Sequence, residues 1–412
     1  MRKLSKKVYA AAGYYTVSFG SGRKEFRPKG AKPGFETYLK EAADGTCAQL
    51  KDTGFDEGVI SNFMAARFIK QGHLAGFLPS VCEGLRYKPC TRVEGACGSG
   101  GLALTTAIKT ILSGQADSVF VMGFEIQNSM KAVYGADVLA GAGYFNGERK
   151  EGHAYFFPAK FSERTEKYFN KFGAEVSRKA MAKWYEQCIS NARLNPKAQE
   201  YHNRTDDLFA VGMTPPNARA FLEHLTAFDC SKVSDGAASL VILSEEGLDK
   251  LGVAKNDCVE IVGYGQCEDD ITKPPPDPAA LATTTHAAGN ALEMAGITTD
   301  EIAILEIHDC FTITALLALE SIGFVEKGGA STFILDGHTA REGSIPANTS
   351  GGLIGYGHYT GGTGVRQLVD LLHQSTGQAG DFQVELKKPY GLMISMGGND
   401  KTVVSIVTKR VE

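Results

Sequence analysis

The chain has no long run of charge of one sign. Its 43 basic and 47 acidic residues are spread along 412 residues and leave a formal net charge of −4. Proteins that bind nucleic acid concentrate basic residues in a patch that matches the phosphate backbone. We therefore expect no nucleic-acid partner.

Long apolar runs are also absent. The longest, such as Val119 to Phe124 and Leu240 to Leu243, are much shorter than the roughly 20 residues of a membrane-spanning helix. The first residues include several lysines but not the apolar core and cleavage site of a secretory signal. We expect no membrane span and a cytoplasmic location, and the sequence leaves a mitochondrial or other organellar location open.

The nine cysteines include no C-x-x-C pair. This argues against a zinc site and against a disulfide-stapled secreted domain, so we expect free thiols in a reducing compartment. Glycine, in contrast, is abundant: its 48 residues cluster at 95–101, 351–364 and 397–398. Such clusters suit tight turns beside a ligand, although ordinary loop packing explains any single cluster equally well.

Alternating helix and strand patterns predict a layered α/β fold. Leu102 to Leu112 has the period of an amphipathic helix, and Asp117 to Met122 has the composition of a buried strand. The second part of the chain predicts a helix around 365–372 and strands at 302–307, 392–395 and 403–408.

A weak internal repeat suggests two related halves. Residues 53–57 and 295–301 share a Gly and acidic pattern before an apolar run, although chance similarity is an alternative. Residues 127–226, rich in aromatic and charged side chains, predict a largely helical insertion of the kind that often covers a site. We expect the prolines at 274–278 to lie in the loop between the two halves.

Cys97 is the first candidate for chemistry. It lies in Val93-Glu94-Gly95-Ala96-Cys97-Gly98-Ser99-Gly100-Gly101, directly before the predicted helix. Unpaired N–H groups and the helix dipole at that position favour thiolate, the reactive form. The alternative is a buried, inert cysteine beside a glycine turn.

Three further segments carry polar side chains between predicted elements. His308-Asp309-Cys310-Phe311 follows a predicted strand, at the end where α/β sheets bind ligands. His358 lies in the glycine-rich turn 351–364, and Ser395 to Asn399 ends a strand in a double glycine. Each histidine alone would more often be structural than catalytic, so the information lies in the combination.

In this order, the four segments resemble the thiolase superfamily. Val233-Ser234-Asp235-Gly236-Ala237-Ala238 is similar to the segment by which thiolases re-enter their first core half, and the tetrad 308–311 is similar to that of sterol-carrier-protein-type thiolases. The resemblance implies two similar layered α/β/α halves with a helical loop-domain insertion. It predicts a first half of 1–126 and 227–254, an insertion of 127–226, and a second half of 255–412.

The resemblance also implies a role for each site residue. Cys97 would become acylated, His358 would take its proton, and Cys310 would move the proton at the second substrate's α-carbon. Backbone N–H groups of Cys97 and Gly397 would hold one oxyanion, and His308 together with His358 the other. Coenzyme A is then a co-substrate, with no bound cofactor and no metal.

Two positions depart from the family pattern. Tyr359 follows His358 where thiolases usually have proline, which predicts a looser backbone there. Ser395 replaces the cysteine that serves as acid/base in common thiolases, and a serine hydroxyl is a poor base near neutral pH. In the sterol-carrier-protein type that duty falls to the tetrad's cysteine, which points to Cys310.

The resemblance implies an acyl-CoA C-acyltransferase that cleaves a 3-oxoacyl-CoA with coenzyme A. Alternatives are a partner-dependent subunit that acts on bulky or aromatic substrates or makes acetoacetyl-CoA, and a noncatalytic acyl-CoA- or lipid-binding protein. The aromatic stretch from Tyr155 to Phe161 would line a wide pocket, although packing of the insertion is the more common use of such residues. Expected partners are a second copy in a homodimer or tetramer and a small zinc-ribbon and OB-fold protein.

Overall fold

Nine strands form one mixed sheet in the computed structural model, which describes residues 3–149 and 154–411. The predicted domain limits at residues 1 and 412 lie outside the described residues. The strands are β1 Val8–Tyr15, β2 Glu57–Ser61, β3 Cys90–Val93, β4 Ser118–Ile126, β5 Asp235–Leu243, β6 Cys258–Glu268, β7 Ile302–Glu306, β8 Tyr390–Gly397 and β9 Thr402–Arg410.

Fifteen α-helices accompany the strands in the described part of the chain. They are α1 Phe35–Cys47, α2 Ala65–Phe68, α3 Leu78–Val81, α4 Ser99–Ser113, α5 Ala132–Leu139, α6 Phe145–Glu148, α7 Phe156–Phe172, α8 Ala174–Ala192, α9 Leu208–Gly212, α10 Glu245–Leu251, α11 Ala282–Ala295, α12 Thr312–Ile322, α13 Ala330–Leu335, α14 Gly352–Gly355 and α15 Thr363–Thr376. None of these is long and apolar enough to cross a membrane.

The sheet repeats one pattern twice. Its order is β3-β2-β4-β5-β1-β6-β9-β8-β7, so β2-β4-β5-β1 and β7-β8-β9-β6 mirror each other about the β1–β6 contact. In each set the first pair is parallel and the next two are antiparallel. Of the two repeated segments in the sequence, 53–57 leads into β2 and 295–301 directly precedes β7. These two strands occupy equivalent places in the sheet.

Helices complete a five-layer arrangement. α1 packs on β1, β4 and β5, and α11 packs on β6, β8 and β9, each on an outer face. α4 and α15 contact each other and strands of both halves, so they form the central layer. The predicted pair of layered α/β/α halves is confirmed, and the two halves share this central layer.

Burial explains the main elements near the nucleophile. All nine residues of β4 are buried because helices cover both faces of the sheet. α4 buries Ala103, Leu104, Ala107, Ile108 and Ile111 on one face, and it ends at Gly114, whose φ of +76° suits glycine.

The proline loop was predicted in the wrong place. β6 was not predicted, and it precedes the prolines, which lie between β6 and α11 within the second half. Two glycines obscured this strand: a Cβ on Gly263 or Gly265 would lie 2.2 or 2.0 Å from carbonyl oxygens of α11. Both glycines are therefore needed for the close approach of α11.

Helices α5–α9 lie between β4 and β5 in the chain. Buried residues of α7 and α8, among them Phe161 and Trp184, share one apolar core with the second half. This segment corresponds to the predicted insertion, whose exact limits remain a prediction.

Candidate active site

A strained turn presents Cys97. Ala96 has a φ of +53°, an uncommon value for a residue with a side chain. Three hydrogen bonds hold the turn: Ala96 N–H donates to Glu94 at 2.5 Å, Gly95 N–H donates to the Ser99 hydroxyl at 3.0 Å, and that hydroxyl donates to the Ala96 carbonyl at 2.5 Å. Cys97 then stands one residue before the N-cap of α4.

Glycines bring the Cys97 loop against the histidine loop. A Cβ on Gly100 of α4 would lie 2.6 Å from the backbone nitrogen of Gly364 in α15. The two helix N-termini therefore meet backbone to backbone, which side chains would prevent. This contact carries Cys97 and His358 into the same cavity.

The tetrad follows β7 and is anchored through its aspartate. Asp309 accepts hydrogen bonds from Trp184 Nε1 at 3.0 Å, Leu353 N–H at 2.7 Å and Cys188 Sγ at 3.3 Å. These partners belong to the insertion and to α14, and they fix the loop on both sides. His308 and Cys310 line the cavity.

His358 is held so that one ring nitrogen is left for chemistry. Its Nδ1 lies 2.7 Å from the Thr363 hydroxyl, which donates to the Tyr359 carbonyl at 3.2 Å. With that hydroxyl hydrogen in use, we assign the ring hydrogen to Nδ1. Nε2, which is buried and has no hydrogen-bond partner among the described residues, is then a free base.

The backbone around His358 is anchored rather than loose. Its N–H donates to Ser234 Oγ at 2.9 Å, and its carbonyl accepts from Gln127 Nε2 at 2.6 Å. Tyr359 is fully buried, and its ring replaces by packing the restraint that proline would give. The expectation of a looser loop at Tyr359 was therefore wrong.

The predicted residues converge on one cavity. One ligand atom of each of Cys97, His308 and His358 lies within 4.8 Å of the others, and the two imidazole rings meet edge to face at 5.0 Å. Cys310 lines the same cavity, whose volume is about 350 Å³. Thiol and imidazole are also zinc ligands, so this trio is the donor set that a metal ion would find here.

The cavity walls are mainly apolar. Small residues of α5 (Ala132, Gly135, Ala136) form one wall. The larger apolar lining side chains include Phe68, Leu139, Tyr155, Phe157, Phe161, Phe221 and Phe311. Phe161 also stacks on Phe311 with ring centroids 4.4 Å apart. The aromatic stretch 155–161 therefore both lines the cavity and packs the insertion on the core.

The Cys97 thiol and the His358 imidazole are both uncharged in the resting site. Burial, followed by the negative charge of Glu125, raises the pKa of Cys97 to about 12, against the opposing effect of N–H groups of Cys97 and Gly398. Burial, followed by the charge of Arg366, lowers the pKa of His358 to about 3. Burial thus opposes the effect of the helix N-terminus and favours the thiol in the resting site, whereas the sequence pattern alone favoured the thiolate.

Burial also disfavours the charged forms of His308 and Cys310. Burial, followed by the proximity of His358, lowers the pKa of His308 well below its usual range. Burial, followed by the proximity of Cys97, raises the pKa of Cys310 well above its usual range. Both side chains are therefore neutral in the resting cavity.

Sequence reasoning missed the buried charges around the site. Glu125 is fully buried and accepts from the N–H groups of Phe63 and Met64, from Asn62 Nδ2 and from the Thr360 hydroxyl. Arg366 lies behind the histidines, where it pairs with Asp370. Nothing local in the sequence marks either residue, because their partners are far away in the chain.

The segment from Ser395 to Asn399 was expected to bring the Gly397 N–H to the site, and the structure places Gly398 there. Gly398 lines the cavity and directs its N–H at the Cys97 sulfur, whereas the oxyanion role of Gly397 remains a prediction. Ser395 is fully buried, lies against Gly101 and Gly364, and is not among the cavity-lining residues. Its hydroxyl has no hydrogen-bond partner in the described residues.

Comparison with known proteins agrees with this site. Residues 267–410 match the family described as thiolase C-terminal domain-like. An acetyl-CoA acetyltransferase of Methanothermobacter thermautotrophicus is 32% identical over 91% of this chain and 94% of its own length. Human sterol carrier protein 2 is 27% identical over 77% of this chain and 58% of its own length.

A solved structure described as Ltp2-ChsH2(DUF35) aldolase superposes with a TM-score of 0.79. It covers 99% of this chain and 98% of that chain at 19% identity, a likeness of fold. These comparisons show that the chain belongs to the thiolase superfamily and to its sterol-carrier-protein type.

Proposed function

We propose that the protein cleaves 3-oxoacyl-CoA thioesters with coenzyme A through an acyl-enzyme on Cys97. The observation that carries this is the meeting of Cys97, His308 and His358 within 4.8 Å in a cavity that Cys310 also lines. A nucleophile, a base and a second proton carrier are thus available to one small substrate.

The first half-reaction would begin with transfer of the Cys97 proton to His358 Nε2. The sulfur attacks the 3-oxo carbon, and the C2–C3 bond breaks to leave an acyl group on Cys97 and the enolate of acetyl-CoA. Cys310 protonates that enolate. In the second half-reaction the thiol of coenzyme A gives its proton to the Cys310 thiolate and attacks the Cys97 thioester. The shortened acyl-CoA leaves, and protonated His358 returns its proton to the Cys97 thiolate.

Because Cys97 and His358 are neutral at rest, the proton transfer between them has to be coupled to attack on the substrate. The protonated His358 and the thiolate arise together, when a substrate oxygen accepts hydrogen bonds from the site. Backbone N–H groups of Cys97 and of Gly397 or Gly398 would hold the 3-oxo oxygen, and His308 with His358 would hold the thioester oxygen. Cleavage is our first choice of direction, with acetoacetyl-CoA synthesis second.

A partner-dependent enzyme for bulky substrates is the second candidate. A wide apolar cavity favours it, as does the solved structure whose description includes a DUF35 protein. Under this proposal a small zinc-ribbon and OB-fold protein would bind beside the cavity. We also propose a homodimer or tetramer in the cytoplasm.

One experiment separates these candidates from a noncatalytic binding protein. The purified chain is incubated with acetyl-CoA or a 3-oxoacyl-CoA, alone and with co-purified proteins, and its intact mass is measured. An acyl adduct on Cys97 in the isolated chain supports our proposal, and an adduct only with co-purified proteins selects the partner-dependent form. If no adduct forms in either incubation, the proposed acyl transfer to Cys97 is contradicted.

A further inference from the structure

A second pair of thiols lies outside the cavity. Cys47 Sγ and Cys82 Sγ are 3.9 Å apart, although 35 positions separate them in the chain. Cys47 is the last residue of α1, and Cys82 directly follows α3. The proposed acyl transfer uses neither residue.

The two cysteines differ in access and surroundings. Cys47 is partly exposed, whereas Cys82 is buried. A hydrogen bond from Cys82 lowers the pKa of Cys47, and the same bond raises that of Cys82. One thiol is therefore placed to react with a solute, and the other lies behind it as a resolving group.

We propose that Cys47 and Cys82 form a reversible disulfide, in which Cys47 reacts first and Cys82 resolves. The oxidant is a small-molecule disulfide such as oxidised glutathione. Cys47 thiolate attacks one of its sulfurs and expels one glutathione thiolate. Cys82 then loses its proton, attacks Cys47 Sγ and expels the second, so that two protein thiols are oxidised and one disulfide is reduced to two thiols.

The geometry allows the bond to close. The sulfurs must approach from 3.9 Å to about 2 Å. Cys47 lies at the end of α1 with a partly exposed side chain, and Cys82 precedes a single 3₁₀ turn at Glu83–Leu85. Rotation of the Cys47 and Cys82 side chains would bring the two sulfurs together.

The pair is isolated from Cys97. Cys47 and Cys82 belong to the apolar core on the outer, α1 face of the first half, whereas Cys97 precedes α4 in the central layer. Exchange between the pair and the nucleophile would have to pass through the sheet. The disulfide therefore forms without consuming Cys97.

The disulfide would restrain a segment that forms part of one wall of the active site. It encloses residues 48–81, including Phe63 and Met64, whose N–H groups hold Glu125, and Phe68, which lines the cavity. Closing this loop restricts the unfolded chain and raises the stability of the fold. We expect a higher Tm for the oxidised protein with acyl transfer retained.

Peptide mapping tests the proposal on the full-length protein. After incubation with oxidised glutathione and alkylation of remaining thiols, trypsin separates Cys47 into peptide 41–51 and Cys82 into peptide 71–86. We expect these two peptides to be joined without reductant and separate with it. Non-reduced samples in which both remain unlinked would overturn the proposal.

Single variants assign the order of events. Cys82→Ser should retain glutathione on Cys47, and Cys47→Ser should leave Cys82 unmodified. Cys90→Ser is the matched control, because Cys90 is also a partly exposed thiol of the first half, and it should form the same link and show the same rise in Tm. Glutathione on Cys47 of the native protein with Cys82 still free would contradict the resolving role.

Discussion

The Thr360 hydroxyl donates a hydrogen bond to Glu125 Oε2 at 2.9 Å. Glu125 belongs to β4 of the first half, and Thr360 lies two residues after His358 in the second. The same carboxylate oxygen accepts the N–H of Phe63 at 2.8 Å. One buried carboxylate therefore fixes the histidine loop relative to the half that carries Cys97, and its charge acts on the Cys97 thiol.

Glu125→Gln should make resting Cys97 more reactive. Loss of the negative charge lowers the pKa of Cys97, so alkylation at pH 9 should become several-fold faster. At that pH the native carboxyl is ionised, because burial raises its pKa only to about 7. The rate is measured by mass spectrometry of tryptic peptide 93–109 after iodoacetamide treatment.

Thr360→Val is the control for this effect. It removes one hydrogen bond to the carboxylate but keeps the charge, so it should not accelerate alkylation. Equal acceleration in both variants would mean that loop movement, rather than charge, controls Cys97.

The pH dependence of alkylation should show no thiolate near neutrality. Because the pKa of Cys97 is raised to about 12, the rate should increase with pH up to about pH 10. The rise should be less steep around pH 7, where Glu125 ionises and its charge raises the pKa of Cys97. His358, with its pKa lowered to about 3, stays neutral over this range and adds no inflection. A plateau by pH 8 would show instead that the helix N-terminus stabilises a resting thiolate.

Some features of the site could be predicted from the sequence and others could not. The strand before His308 and the helix after Cys97 were predictable because each depends on a local pattern. The pKa of Cys97 was not, since it depends on enclosure by the insertion and on Glu125, which is distant in the chain. Gly398, Thr363 and the unpredicted β6 likewise acquire their roles only when separate segments pack together.

Cys97→Ser should abolish turnover and acyl labelling while the fold is retained. The substitution changes one atom and removes the thiol nucleophile, so we expect a loss of at least about 10³-fold in kcat. Thiolysis is followed by the absorbance of the 3-oxoacyl-CoA, with circular dichroism as the check on folding. Thiolysis near the native rate would contradict the proposed nucleophile.

The chain should form dimers in solution. Among the residues that the structure describes, β3 pairs with β2 alone and so forms an edge of the sheet. Exposed strand edges favour further pairing. In the proposed dimer this strand, which contacts the nucleophile helix α4, would form the contact between the two copies. Light scattering after size exclusion should give about twice the 44.1 kDa chain mass or a higher multiple, and a stable monomer would contradict this.

Cys310→Ala and Ser395→Ala should separate the two candidate acid/base groups. Cys310 lines the cavity, so its loss should reduce the carbon-bond step by about 10²–10⁴-fold, the usual contribution of a general acid/base. Acylation of Cys97 by acetyl-CoA does not need that proton transfer. The variant should therefore accumulate a persistent acyl-enzyme, which intact-mass measurement detects.

Ser395 provides the matched comparison. Its hydroxyl is buried between α4 and α15 without a hydrogen-bond partner among the described residues, so removing it costs the fold little. Turnover of Ser395→Ala should stay within a few-fold of the native rate because the hydroxyl lies outside the cavity lining. If Ser395 proved essential and Cys310 dispensable, proton transfer would have to run through β8, and the mechanism proposed for the tetrad would be wrong even though the thiolase fold would stand.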